Sequence, residues 1–120
     1  MERTVKLGEQ EYTLKASALI PRLYRFKFGR DLIADMAALS KSYKRVADSE
    51  DNSEVFSALD LTVFENIAWL MCKHGGSTEA ENPDEWLDSI DGVFSIYDVL
   101  PVILELWGAN LHQTSVPRKK

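Results

Sequence analysis

Glu54–His74 reads EVFSALDLTVFENIAWLMCKH and contains neither Gly nor Pro. Wrapped at a helical period, Phe56, Leu59, Val63, Ile67, Leu70 and Met71 share one face, and Leu61, Phe64 and Ala68 widen it. Glu54, Thr62, Glu65, Asn66 and Lys73 make up the polar side. A helix apolar over most of its girth is covered by several neighbours. The segment is therefore expected to be the central core helix, with Ser53 capping its first turn and Gly75–Gly76 closing it in a left-handed cap.

On its N-terminal side lies ADSEDNS (Ala47–Ser53), an acidic, polar loop expected to be mobile. Before it, Leu32, Met36, Leu39, Tyr43 and Val46 step by four and three along a helix that Asp31 can cap, with Lys41, Lys44 and Arg45 suited to its C-terminal dipole. An earlier helix is expected from Ser17, as N-cap, to about Phe28, with Pro21 in its first turn and Gly29 as its stop. Leu19, Leu23 and Phe26 form its stripe, broadened by Ile20, Tyr24 and Phe28. At the start, Thr4–Leu7 and Glu11–Lys15 alternate with period two around Gly8-Glu9-Gln10, the pattern of a β-hairpin. Two strands alone are marginal in water, so the hairpin must lay its apolar face on the helices.

On the C-terminal side, GGSTEAEN (Gly75–Asn82) reads as an exposed loop. Asn82 followed by Pro83 signals a short helix to about Ile90, with Trp86, Leu87 and Ile90 facing inward and Gly92 breaking it. A last helix is expected from about Ser95 to His112, with Pro101 after its first turn. It is apolar nearly all round, and only Asp98, Glu105 and His112 mark a polar strip. The expected fold class is α+β: one mainly helical domain over residues 1–112, with about five helices and an N-terminal hairpin. Residues 113–120, QTSVPRKK, are expected to form a disordered basic tail.

The bulk composition fits one ordinary globular domain: 120 residues, 45% hydrophobic and 28% charged. No apolar run approaches the ~20 residues of a membrane span. MERTVKLGEQEYTL has no hydrophobic signal segment, so a cytoplasmic location is expected. The net charge of −5 disfavours non-specific contact with nucleic acid or anionic lipid.

Chemistry is sparse. Cys72 is the sole cysteine, which rules out an internal disulfide and a cysteine-based zinc site. Cys72 and His74 point to different helix faces, and His112 is distant in sequence. Asp84, Glu85, Asp88 and Asp91 are dense, but acids at a helix start favour the dipole, and no calcium-loop pattern accompanies them. Gly75–Gly76 lacks the preceding strand and the following Lys-Ser/Thr of a phosphate loop. No catalytic residue, cofactor or metal is expected. Arg22, Arg25, Lys27 and Arg30 interleave with Tyr24, Phe26 and Phe28. That pattern fits, in decreasing order, a solvated charged face, an acidic protein partner, and single-stranded nucleic acid. The apolar excess of the last helix, and Trp69 toward the polar side of the central one, point to a partner interface, with burial inside the monomer as the close competitor, since a central position would also cover them.

Two segments taken together, YRFKFGRDLIADM (Tyr24–Met36) and FSIYDVLPVILELWGANL (Phe94–Leu111), resemble the tail assembly chaperones of phages and prophages of Gram-positive bacteria. The opening V-K-L-G-x-x-x-Y-T-L-K, the helix ending in F-G-R-D-L, the central W-x-x-x-K and the closing S-I-Y-x-V-L-P-x-I-x-x-L-W are similar too, as is the acidic hinge before Val93–Phe94. The resemblance spans Val5 to about Leu111. It implies a non-enzymatic protein of the host cytoplasm that binds the long, helical tape measure protein, keeps it soluble while the tail tube polymerises, and is absent from the mature virion. It implies contact with the tail tube protein, a longer product made by ribosomal frameshifting, and homo-oligomers as further partners. Arg118-Lys119-Lys120 sits where an adenine-rich slippery site would lie. Such a chaperone offers a groove that accepts a helix. Trp69, Tyr97 and Trp107 are expected to contribute its surface, with Arg22 and Arg25 as a basic rim. A small DNA-binding or adaptor protein of a prophage is the alternative. It requires a basic recognition helix, and the most basic candidate here is also strongly apolar. A small hydrolase or metal enzyme requires a convergent pocket that the sequence does not display.

Overall fold

A computed structural model describes residues 1–50, 54–92 and 94–114, the last six of these as backbone only. Strands β1 (Glu2–Leu7) and β2 (Gln10–Lys15) are followed by helices α1 (Ile20–Phe28), α2 (Leu32–Ala47), α3 (Ala58–His74), α4 (Pro83–Ser89) and α5 (Ile96–Thr114). The fold is α+β, with these five helices and one antiparallel hairpin among the described residues. α3 is the hub: it packs against β2, α1, α2, α4 and α5.

The hairpin turns in two residues, Gly8-Glu9, rather than three, because Leu7 pairs with Gln10. Gly8 has a left-handed φ of 63°, which a tight turn of this kind requires. Val5 pairs with Tyr12, and Leu7, Tyr12 and Leu14 are buried. The apolar face of the hairpin therefore rests on the helices, as its marginal stability demands.

α3 begins later than the apolar pattern suggests. Ser53 lies outside the described residues, and Glu54–Phe56 are not helical. The N-cap is Ser57, whose side chain accepts from the Asp60 amide at 3.0 Å while Asp60 accepts from the Ser57 amide at 3.1 Å. This reciprocal capping box satisfies two orphan donors at once, a pairing that needs an acid or amide three residues after the cap, where Ser57 has Asp60. Val63, Phe64, Ile67, Ala68, Trp69, Leu70, Met71 and Cys72 are buried, whereas Leu59 and Leu61 in the first turn are not. At the other end the Ser77 amide donates to Cys72 and the Gly76 amide to Lys73, with Gly76 left-handed. The glycine pair closes the helix as expected.

α2 is capped by Asp31, which accepts from the Ile33 amide at 3.0 Å. Its stripe Leu32, Met36 and Leu39 is buried, and Tyr43 and Val46 pack against the core. α1 differs from expectation at its start: Ser17 precedes a turn, Leu19 is the N-cap, and no side chain caps the helix. α4 is capped by Asn82, which accepts from the Glu85 amide at 2.8 Å. Trp86 is fully buried, with Tyr12 and Phe94 edge-on at 5.7 and 5.2 Å. α5 runs through Pro101 to Thr114, two positions beyond His112. The side chain of His112, and the tail from residue 115 on, lie outside the described residues, as does the 51–53 part of the acidic loop.

Candidate binding groove

α1 and α3 run antiparallel. Ser17, just before α1, shares a 2.9 Å hydrogen bond with His74 Nε2 at the end of α3, and Phe28, closing α1, meets Trp69 edge-on at 6.1 Å. The orientation of α1 is fixed from its other side. The Tyr24 hydroxyl donates to Asp35 Oδ2 at 2.7 Å, and the Arg30 guanidinium donates to both oxygens of the same carboxylate at 2.7 and 2.9 Å. The Arg30 bonds hold the Asp35 carboxyl below the usual carboxylate range, against the opposing effect of its burial. Burial and the adjoining carboxylate push the Tyr24 phenol well above its ordinary value.

With Ile20 and Tyr24 turned inward, the neighbouring stripe of α1 turns outward. Leu19 is 45% exposed and Phe26 is 88% exposed. Of the expected stripe, Leu19 and Phe26 stand on the outer face of α1 and Leu23 packs partly against the core, while Ile20 with Tyr24 forms the core face. Between this outer face and α3 lies a groove of about 490 Å³, lined by Leu23, Phe26, Lys27, Trp69, Leu70, Lys73, His74 and Glu81. Its walls are mostly apolar, and its volume falls within the range of ligand-binding clefts.

The groove has one organised end. The Trp69 indole N–H donates to the Ala80 carbonyl at 3.1 Å, Lys73 Nζ donates to Ala80 at 3.1 Å, and Lys27 Nζ donates to the Glu81 carbonyl at 3.1 Å. Lys73 Nζ also reaches the Glu81 carboxylate at 3.4 Å, and Lys27 Nζ sits 5.5 Å from the Trp69 ring centroid. Two helices thereby grip the same short strap, Glu79–Glu81. At the other end His74 is partly buried. Its desolvation, Lys15 and the N-terminal amine all lower its proton affinity.

The five residues expected at a partner surface do not converge on one site. Trp69 is buried at 4% exposure, because Phe28, Lys27 and the strap cover it, and it serves as groove floor. Trp107 is buried at 8% and borders a separate cleft of about 310 Å³ between α2 and α5 with Ile33, Met36 and Leu104. The expectation that these two rings stand on the surface is corrected: the wide apolar girth of α5 meets α3 and β1 instead. Tyr97 is exposed, edge-on to Phe56 at 5.7 Å, and lines a third cleft with Tyr43, Val46 and Val55. Arg22 and Arg25 are exposed on α1. Phe26 is the most exposed of the residues, Leu19, Leu59 and Leu61 among them, that their apolar stripes place inside and the fold places outside. The alternation of cations and aromatics through YRFKF was its only visible signal.

Glu85 Oε1 accepts from the Glu81 amide at 2.6 Å, consistent with an acid at a helix start. Burial pushes the Cys72 thiol up to about 12. Among the described residues no three His, Cys, Asp or Glu side chains gather as a metal-binding group, and no helix is long and apolar enough to cross a membrane. No family model, curated protein or solved structure matches the chain.

Proposed function

We propose that this chain is a non-enzymatic tail assembly chaperone that binds a helical segment of the tape measure protein in the α1–α3 groove and keeps it soluble in the host cytoplasm during tail assembly. The observation that carries this reading is Phe26. A phenylalanine exposed at 88%, beside an apolar groove floored by Trp69 and Leu70, is poorly placed for a free surface and well placed for a partner. Helix-in-groove recognition uses such exposed apolar anchors along one face of a host helix. The motif resemblance supplies the identity of the client. Buried Trp69 supports the groove from below, and Tyr97 offers a second apolar patch at the start of α5.

The test is co-expression with fragments of the long helical protein encoded nearby, followed by size-exclusion chromatography with light scattering. An otherwise insoluble fragment becomes soluble and co-elutes with the wild-type chain. Phe26→Ser abolishes the rescue yet leaves folding stability within about 0.5 kcal/mol, as for other exposed positions. If no fragment is rescued and the chain runs as a clean monomer, the chaperone function is wrong.

A further inference from the structure

The charges around the groove specify its occupant more closely. α1 carries three cations, Arg22, Arg25 and Lys27, and no acid, in a chain whose net charge is −5. Lys27 is engaged with the Glu81 carbonyl and the Trp69 ring. Arg30, just past the helix, is engaged with Asp35. Arg22 and Arg25 have no hydrogen-bond or ion-pair partner among the described residues, and both are exposed. Both precede Phe26: Arg22 lies one turn before it on the outer side of α1, and Arg25 is its immediate neighbour in sequence, turned further from the groove. The acid that lines the groove, Glu81, is already paired with Lys73. The cations that line the groove, Lys27 and Lys73, are thus engaged, and beyond Phe26 the outer face of α1 carries Arg22 and Arg25 unanswered, although neither lines the groove itself.

We infer that the groove, together with the adjoining outer face of α1, takes an amphipathic helix whose apolar stripe is bordered by acidic side chains on the edge that passes over Phe26 toward Arg22 and Arg25. Leu19, Leu23 and Phe26 span eight residues, about 10 Å of helix, so the occupant contributes apolar side chains over about two turns. Facing carboxylates complete the rim and steer the encounter. A base stack on this face is disfavoured, because Lys27 covers the Trp69 ring and the indole N–H is held by Ala80. This inference rests on the groove being the binding site of the proposed chaperone, and it adds the chemistry of what is bound.

The probes are two synthetic helical peptides with the same leucine stripe, one with glutamates and one with lysines along its edges, titrated into the ¹⁵N-labelled full chain. A dT20 oligonucleotide is titrated in parallel. The glutamate peptide binds about tenfold tighter than the lysine peptide, the size expected of two rim ion pairs, and the preference shrinks as salt is raised. Shifts fall on Leu23, Phe26, His74 and the Trp69 indole. The double variant Arg22→Glu/Arg25→Glu reverses the preference, and Phe26→Ser weakens both peptides. Equal affinity for the two peptides, binding of neither, shifts away from the groove, tight binding of dT20, or self-association of the chain that Phe26→Ser removes would each overturn the inference. Failure here is distinguishable from failure of the chaperone function. A client rescued equally well by Arg22→Glu/Arg25→Glu keeps the chaperone and refutes the acidic edge. A glutamate peptide seated in the groove with no client rescued does the reverse.

Discussion

Replacing Tyr24 by Phe removes one hydroxyl and leaves the ring, which is fully buried and lies 5.1 Å from Phe28. The lost bond is a 2.7 Å donation to the Asp35 carboxylate, itself 8% exposed. Hydrogen bonds to charged groups contribute about 1.5–3 kcal/mol. Asp35 retains both Arg30 bonds, so its charge is not stranded, and the cost belongs in the middle of that range, about 2 kcal/mol. For a domain of this size that is roughly 8 °C in Tm. Urea unfolding followed by circular dichroism reads the difference directly. The pH dependence supplies a second check. Asp35 has a folded pKa below its unfolded value of about 4, so the stability it contributes is complete above about pH 4 and is lost as pH falls through the folded value. The gap between wild type and Tyr24→Phe therefore holds from pH 7 to 5 and narrows in stronger acid, where a neutral carboxyl accepts more weakly. A gap smaller than about 0.5 kcal/mol at neutral pH would refute the claim that this bond fixes the rotation of α1.

Two other perturbations separate effects that look alike. Gly8→Ala and Gly29→Ala share a left-handed φ, 63° and 66°, but a Cβ at Gly8 would overlap the Asp91 carbonyl oxygen whereas one at Gly29 meets nothing. Gly29→Ala costs about 1 kcal/mol and Gly8→Ala clearly more, because backbone must shift; equal costs by denaturant titration would show that the hairpin turn is not packed on Asp91. For His74, the folded pKa lies below the unfolded value of about 6.5, so unfolded chains bind more protons in the window beneath it and stability falls with pH there. Wild type thus loses stability between pH 7 and 5 relative to His74→Gln, and a pH-independent difference between the two would contradict the lowered affinity.

The order of elements was legible in the sequence because periodicity and punctuation agree at most boundaries. Asp31 and Asn82 cap the helices they were expected to cap, and Gly29 and Gly76 stop theirs. Ser57 was hidden behind the apolar run of Val55 and Phe56, although Asp60 three residues on was the available clue. The groove was less legible. Ile20-Tyr24 and Leu19-Leu23-Phe26 are adjacent stripes of the same helix, and hydrophobicity ranks them alike. The choice between them is made by the Tyr24–Asp35 bond, a contact between two elements that no local pattern reports. Trp69 is illegible for a related reason: it lies toward a polar face, but that face is roofed by the Glu79–Glu81 strap, whose backbone carbonyls are held by the Trp69 indole, Lys27 and Lys73.

The hairpin also meets α5: Arg3 Nε lies 3.2 Å from Glu105 Oε1, a pairing across 102 positions. A ribosome adding 5–20 residues per second completes Glu105 roughly 5–20 s after Arg3. β1 waits that long for this neighbour, while β2 finds α3 sooner. Nascent chains that carry the hairpin through α4 therefore display one uncovered flank of β1, which α5 covers only once it has itself been made and has left the ribosome.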